Sequence, residues 1–440
     1  MMDITDIHIL GGGPAGLATG YYAKKQNLNF VIYEAGEHAG GNCRTLQLDN
    51  FRFDTGAHRF HDKDPEVTAE VKHLLGDDLL RVDAPSEIFF QDKFYRFPLT
   101  LSDLVGKLET KTLLKIAWDK LRSGPGKQAN NFKELALNQY GKTLAERFLL
   151  NYSEKLWGEP THKLSTAISG NRLKGLDLWS FLRSTVFGTP QNPTHLDGSF
   201  FYPKHGIGMI PDKMCEFIGN EHVKLEHRVS RIIHRDGKIH RIVLNDDIEI
   251  EVDTVINTLP LTLSMRMLEP SPPPELRAIV DTIKYRHLVL CVFCLNRDSF
   301  SSNASIYFPS EEFPFTRLYE PKNRSLYMAP EGQTVIVLEI PCFTESPVWK
   351  LSEAVLRTEV WEALCRVKPL HSDEIIHYQS YKLPFAYPVL EVGFEENVKH
   401  LVNYFAQFEN LYLTGRSSLF RYLHLHDLFK AGKEVIEQIQ

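Results

Sequence analysis

Cysteine is scarce in this chain: six thiols in 440 residues, at Cys43, Cys215, Cys291, Cys294, Cys342 and Cys365. They are scattered without the paired spacing of a zinc site. The one close pair, Cys291 and Cys294, lies inside the apolar run Leu288–Leu295, where a strand would send the two side chains to opposite faces. Buried, reduced thiols in a cytoplasmic setting are the expectation. Long apolar runs are missing as well. No segment nears the ~20 residues that a membrane-crossing helix needs. The start of the chain, with Asp3 and Asp6 around a short apolar run, does not read as a secretory signal. Peripheral contact with a membrane stays open. There is no excess of positive charge either: a formal net charge of −6 and a pI near 6.3 give no support for a nucleic-acid partner. What is present is ordinary globular composition, 43% apolar and 24% charged, in a chain long enough for two or three domains with substantial cores.

The informative stretch is the beginning. Ile7-His8-Ile9-Leu10 runs into Gly11-Gly12-Gly13-Pro14-Ala15-Gly16, and Val31-Ile32-Tyr33 ends at Glu34. Strand, glycine turn, helix, strand and acid form the sequence pattern of dinucleotide binding. Gly11 tightens the turn, Gly13 admits a pyrophosphate close to the backbone, and Gly16 lets helix and strand pack closely. The helix from Pro14 offers unpaired N–H groups to phosphate, and Pro14 loses no bond in a first turn. Glu34 stands where a carboxylate takes ribose hydroxyls. A second glycine-rich turn, Gly36 to Thr45, holds Gly40, Gly41, Asn42 and Arg44. A hairpin follows, Thr45–Leu48 against Phe51–Asp54, turning at Asp49-Asn50. Then comes Thr55-Gly56-Ala57-His58-Arg59-Phe60-His61.

This succession, a GxGxxG turn, an acid-ended second strand and GG-x-x-R-T before a hairpin, resembles the FAD-binding half of the superfamily of amine oxidases, protoporphyrinogen oxidases and UDP-galactopyranose mutases. The resemblance implies FAD as cofactor, with Gly11, Gly13, Pro14, Ala15, Gly16, Glu34, Gly40, Gly41, Asn42, Arg44, the backbone at Val229, and Gly415 and Arg416 of Leu413-Thr414-Gly415-Arg416 around it. It implies an α/β fold: a Rossmann-type FAD-binding domain assembled from discontinuous segments (1–85, 203–262 and 405–440), a mainly helical substrate or lid domain over 86–202, and an antiparallel β-sheet domain over 263–404.

Several segments are similar to the mutase branch in particular. Tyr152-Ser153-Glu154-Lys155-Leu156-Trp157-Gly158 resembles its Y-x-x-K-x-W-G run. Phe315-Thr316-Arg317-Leu318-Tyr319-Glu320 resembles its F-T-R-x-x-E strand, and Tyr387-Pro388-Val389 and Arg421-Tyr422 resemble its substrate tyrosines. The likeness implies a diphosphate clamp from Arg172, Arg317, Tyr387 and Tyr422, a tryptophan, Trp157, beside the nucleotide, and His58 and His61 beside the flavin ring, with His58 and Tyr422 also touching the cofactor. Guanidinium groups suit diphosphate because they pair bidentately with its oxygens. The function so implied is FAD-dependent transformation of a nucleotide-sugar or similar anionic substrate by reduced flavin. An oxidase or desaturase of the amine oxidase or protoporphyrinogen oxidase type is the alternative, and a flavin-binding protein without catalysis the third. Three residues depart from the mutase pattern: Arg59 adds a charge in the histidine loop, and His424 and His426 replace acids after Arg421-Tyr422. Neither histidine pair has the third and fourth ligands of a metal site.

Between the motifs the patterning is helical or stranded. Asp64 caps a helix with Pro65 in its first turn and Val67, Val71, Leu74 and Leu75 on one face. Ser102 or Asp103 caps a helical region over 104–121 whose apolar residues suit core packing, a membrane-lying helix or the wall of a substrate channel. The run Leu135–Trp157 is helical with a break near Gly141, and a last helix begins near Asp427.

Overall fold

The computed structural model describes residues 6–122, 128–169 and 199–440. Its centre is a five-stranded parallel sheet. Strand β1 (Ile7–Leu10) lies between β2 (Phe30–Tyr33) and Thr254–Asn257, and the sheet continues to Val223–Lys224 on one side and Leu411–Leu413 on the other. Segments more than 400 residues apart thus share one sheet. Helix α1 (Pro14–Lys25) covers one face. Leu17, Ala18 and Tyr21 pack there with Ile9, Ile32, Met214 and Phe429. The final helix, Leu425–Ile439, lies against α1 so closely that a Cβ at Gly432 would stand 2.8 Å from the Thr19 nitrogen.

A seven-stranded sheet forms the second body. Its order is Ile375–Pro388, Tyr285–Leu295, Thr334–Cys342, Arg317–Tyr319, Ser305–Tyr307, Ser86–Phe90 and Lys93–Phe97. All pairings are antiparallel except Ser305–Tyr307 beside Ser86–Phe90. Residues 86–97, within the segment expected to be mainly helical, form the last two strands of this sheet, with Lys93–Phe97 at its edge. Cys291 packs with Phe293 on one face and Cys294 with Val292 on the other, as strand alternation requires. All six thiols are free.

The helical region breaks in two, Leu101–Lys107 and Thr110–Arg122. Its cap is Thr100, whose Oγ1 accepts from the Asp103 nitrogen at 3.3 Å, and not Ser102 or Asp103. The Asp103 carboxylate is drawn away by the Arg96 N–H and by Lys107. The run to Trp157 comprises Phe132–Tyr140, Lys142–Leu144, a wider π-type turn over Ala145–Leu150, and Asn151–Trp157. The last helix starts at Leu425, two residues early, because His424 and Asp427 cap it reciprocally. Among the described residues no helix is long and apolar enough to cross a membrane.

Candidate active site

The parallel strands end at Leu10, Tyr33, Asn257 and Leu413, and the loops after them converge in the crevice where open α/β sheets bind ligands. The first turn is fixed by close approach. A Cβ at Gly16 would lie 1.9 Å from the Gly11 carbonyl oxygen, so only glycine lets α1 begin there. Gly13 is different: its nearest neighbour would be the Gly41 Cα at 4.0 Å, which leaves the space in front of it open. The second turn leans on the first through the Gly40 N–H, which donates to the Gly12 oxygen at 2.8 Å. Glu34 ties the cradle together, accepting from the Gly12 and Gly36 nitrogens at 2.9 Å each. The third wall is Gly415, at φ +95° and against Ala15. Val229 opens the strand Val229–Arg235, two residues after His227 donates its N–H to the Glu34 oxygen.

The residues present fit a flavin dinucleotide. Of the seven buried side-chain polar atoms that lack partners among the described residues, two belong to residues expected at the cofactor, Arg44 Nε and His58 Nε2, and buried polar atoms are rarely left so. His58 is held to about 4, first by burial and then by the charges of Arg317, Arg324 and Arg416, against a bond to the Asn42 backbone. It is a neutral imidazole among guanidinium groups. Arg416 donates to the Ala386 oxygen at 3.1 Å, and Asn42 Nδ2 to the Phe385 oxygen at 3.4 Å. The end of the long strand Ile375–Pro388 is therefore where the second glycine turn, Arg416 and Tyr387 meet.

On the other side of that meeting point is an aromatic wall. The Arg416 guanidinium stands 4.5 Å from the Tyr422 ring centre and 5.3 Å from that of Tyr387. Tyr387 meets Trp157 edge-on at 6.0 Å. Burial, and then the Glu339 carboxylate, push the Tyr387 hydroxyl up to about 12. Trp157 is set from behind: buried Arg286 donates to the Leu156 and Lys155 oxygens at the end of the Asn151–Trp157 helix and to the Pro341 oxygen of the strand Thr334–Cys342. Lys155 donates to the oxygens of Phe308, Ser310 and Phe315 at 2.8–3.0 Å, which anchors the loop leading to Arg317.

Arg317 itself is engaged. Its Nε and Nη2 donate to Glu339 Oε2 and Oε1, both at 2.8 Å, and Glu339 is 2% exposed. The same carboxylate accepts from the Ala57 nitrogen at 3.0 Å, which joins the arginine to the His58 loop. Glu339 was not singled out in the sequence; an acid alone in the apolar run Thr334–Ile340 is the signal that marks it. A second unforeseen centre supports that loop from below. Asp54 accepts from Tyr202, Thr45 and the Ile207 nitrogen, and burial raises its carboxyl.

The two loop histidines part company. His58 faces the arginines, whereas the His61 ring centre lies 6.2 Å from that of Phe200. Arg59 also turns that way, donating to Ser86 Oγ at 2.6 Å with its guanidinium 4.9 Å from the Phe200 ring centre. His424 and His426 stack at 5.7 Å, and their acid is Asp427. Among the described residues no cluster could hold a metal ion. Arg172 lies outside the described residues. A separate cleft of about 400 Å³ beside Lys155, Glu311 and Phe313 shares none of the predicted residues.

Comparison with known proteins follows the same lines. The profile of flavin-containing amine oxidoreductases matches residues 14–434. Protoporphyrinogen oxidase 1 of Spinacia oleracea is 23% identical over 297 residues, 61% of this chain and 52% of that enzyme, so the likeness spans about half of that relative's length. Among solved structures, reduced UDP-galactopyranose mutase superposes with a TM-score of 0.87 at 21% identity, covering 99% of this chain and 95% of the other. A putrescine oxidase bound to putrescine superposes with a TM-score of 0.66 at 16% identity, covering 99% and 98%. At these identities the structural likeness speaks for the fold alone.

Proposed function

Because the chain belongs to the family of flavin-containing amine oxidoreductases, we propose that it is an FAD-dependent enzyme that transforms a nucleotide-sugar or similar anionic substrate with its flavin reduced. FAD is the cofactor of the family. Gly11, Gly13 and the first turn of α1 would present N–H groups to its pyrophosphate, with Gly40, Gly41 and Arg44 opposite, Glu34 and the Val229 backbone at the adenosine half, and Gly415 and Arg416 toward the flavin. Bound there, it supplies electrons, or a nucleophilic nitrogen when reduced.

The chain's own residues then bind and orient. The observation that carries the reading is the aromatic wall beside the flavin side of the site: the rings of Tyr387 and Tyr422, with Trp157 edge-on to Tyr387, around the Arg416 guanidinium, which has no carboxylate partner among the described residues. Such a group attracts an anion while its aromatic neighbours hold a ring or a sugar face. Trp157 and Tyr387 extend that surface, and Tyr422 backs it. His58, kept neutral, neither adds charge nor gives up a proton near neutral pH.

A second reading rests on Arg317. Its pairing with Glu339 cancels the charge that a diphosphate clamp needs, which favours an oxidoreductase acting on a less polar substrate. One experiment separates the two. The purified holoprotein is reduced with dithionite under nitrogen and given UDP-sugars, with products followed by chromatography; the oxidised protein is given amines and porphyrinogens in an oxygen electrode. Isomerisation confined to the reduced state supports the first reading. Oxygen uptake with unchanged UDP-sugars supports the second.

A further inference from the structure

The helix Thr110–Arg122 has two unlike sides. Thr112 and Ile116 are buried, Ile116 among Ile88, Tyr95, Leu104 and Phe148. Leu114 and Trp118 are 66% and 56% exposed, and Val105 of the preceding helix is 58% exposed. At 100° per residue, Lys111, Leu114, Lys115, Trp118 and Arg122 fall on one stripe of the helix. The three cations are exposed, and the Arg122 guanidinium stands 4.8 Å from the Trp118 ring centre. The helix's one acid is turned away, since Asp119 accepts from the Thr143 nitrogen and hydroxyl at 2.7 Å each. Glu109 precedes the helix.

We propose that this stripe docks on an anionic lipid bilayer, with Trp118 and Leu114 entering the headgroup boundary and Lys111, Lys115 and Arg122 meeting lipid phosphates. A tryptophan is at its best where one side is apolar and the other wet. Basic side chains flanking apolar ones add attraction to anionic lipid while their charged ends stay hydrated. The charge pattern favours lipid over a protein groove, which would have to supply an acid for each of three desolvated cations. The helix is about 20 Å long and lies on the surface, so docking needs no crossing segment.

The test uses the FAD-loaded protein and sedimentation with vesicles of equimolar phosphatidylglycerol and phosphatidylcholine, or of phosphatidylcholine alone. Binding to the anionic vesicles at low salt, weakened by high salt and about tenfold lower on phosphatidylcholine, is the expected result. The paired variant Leu114→Ser and Trp118→Ser should lose most of it, as should Lys111→Glu with Lys115→Glu and Arg122→Glu. Circular dichroism and the flavin-to-protein absorbance ratio check that both variants stay folded and loaded. Equal binding to both lipids, no binding to either, or variants that bind like the parent would overturn the proposal. Self-association through this stripe without vesicle binding would also overturn it, in favour of a second copy of the chain.

Discussion

Arg317 and Glu339 make the sharpest case for reading a site atom by atom. The arginine is recognisable from its sequence motif, but its state is set by a carboxylate 22 positions away, brought beside it by strand pairing of Arg317 with Glu339. A buried pair of this kind is costly to break from one side, because the survivor keeps its charge with nothing opposite. Glu339→Gln should therefore destabilise the fold by about 3 kcal/mol, read from urea unfolding. Adding Arg317→Met to Glu339→Gln should return most of the loss, since neither charge then remains. An unchanged midpoint in the single variant would mean that the pair contributes little. This also shows where sequence reading stops. The glycine turns announce themselves through local backbone geometry, whereas Glu339, Arg286 and Lys155 act through partners that only the tertiary fold supplies.

At the scale of elements, the legible parts were those with short-range causes. Alternation and turn chemistry placed the hairpin after the second glycine turn, and Asp64 caps its helix as its position implied, accepting from the nitrogens of Glu66 and Val67. The break at Leu108–Glu109 and the π-type turn over 145–150 carry no comparable local signal. The first glycine turn separates folding from binding within four residues. Gly16→Ala puts a methyl 1.9 Å from the Gly11 oxygen and should cost about 3 kcal/mol or more of stability through forced backbone movement. Gly13→Ala meets nothing closer than 4.0 Å, so the protein should fold normally. Its methyl would occupy the cradle proposed for the pyrophosphate, and flavin content should fall about tenfold or more. The flavin absorbance of the purified variants, set against their circular dichroism, distinguishes the two. Full flavin content in Gly13→Ala would remove that turn from the cofactor site.

In the whole molecule, the proposed FAD site would join parts of the chain that are remote in sequence: the turn at 11–16, the turn at 40–44 and the segment 415–416, each pressed against another. The last helix closes the same domain by packing on α1, so the two ends of the chain share one core. A ligand that bridges such segments stabilises only the state in which all of them are assembled. Removing FAD should therefore lower the unfolding temperature of the entire parallel-sheet body and not of one loop. Re-adding it should raise the temperature with the logarithm of its concentration, by about 2.7 kcal/mol of stability at a hundredfold excess over Kd. Calorimetry of stripped and reloaded protein measures this. An apoprotein that melts at the same temperature as the loaded one would show that the three segments are held without help from the cofactor, and their convergence would then be a property of the chain alone.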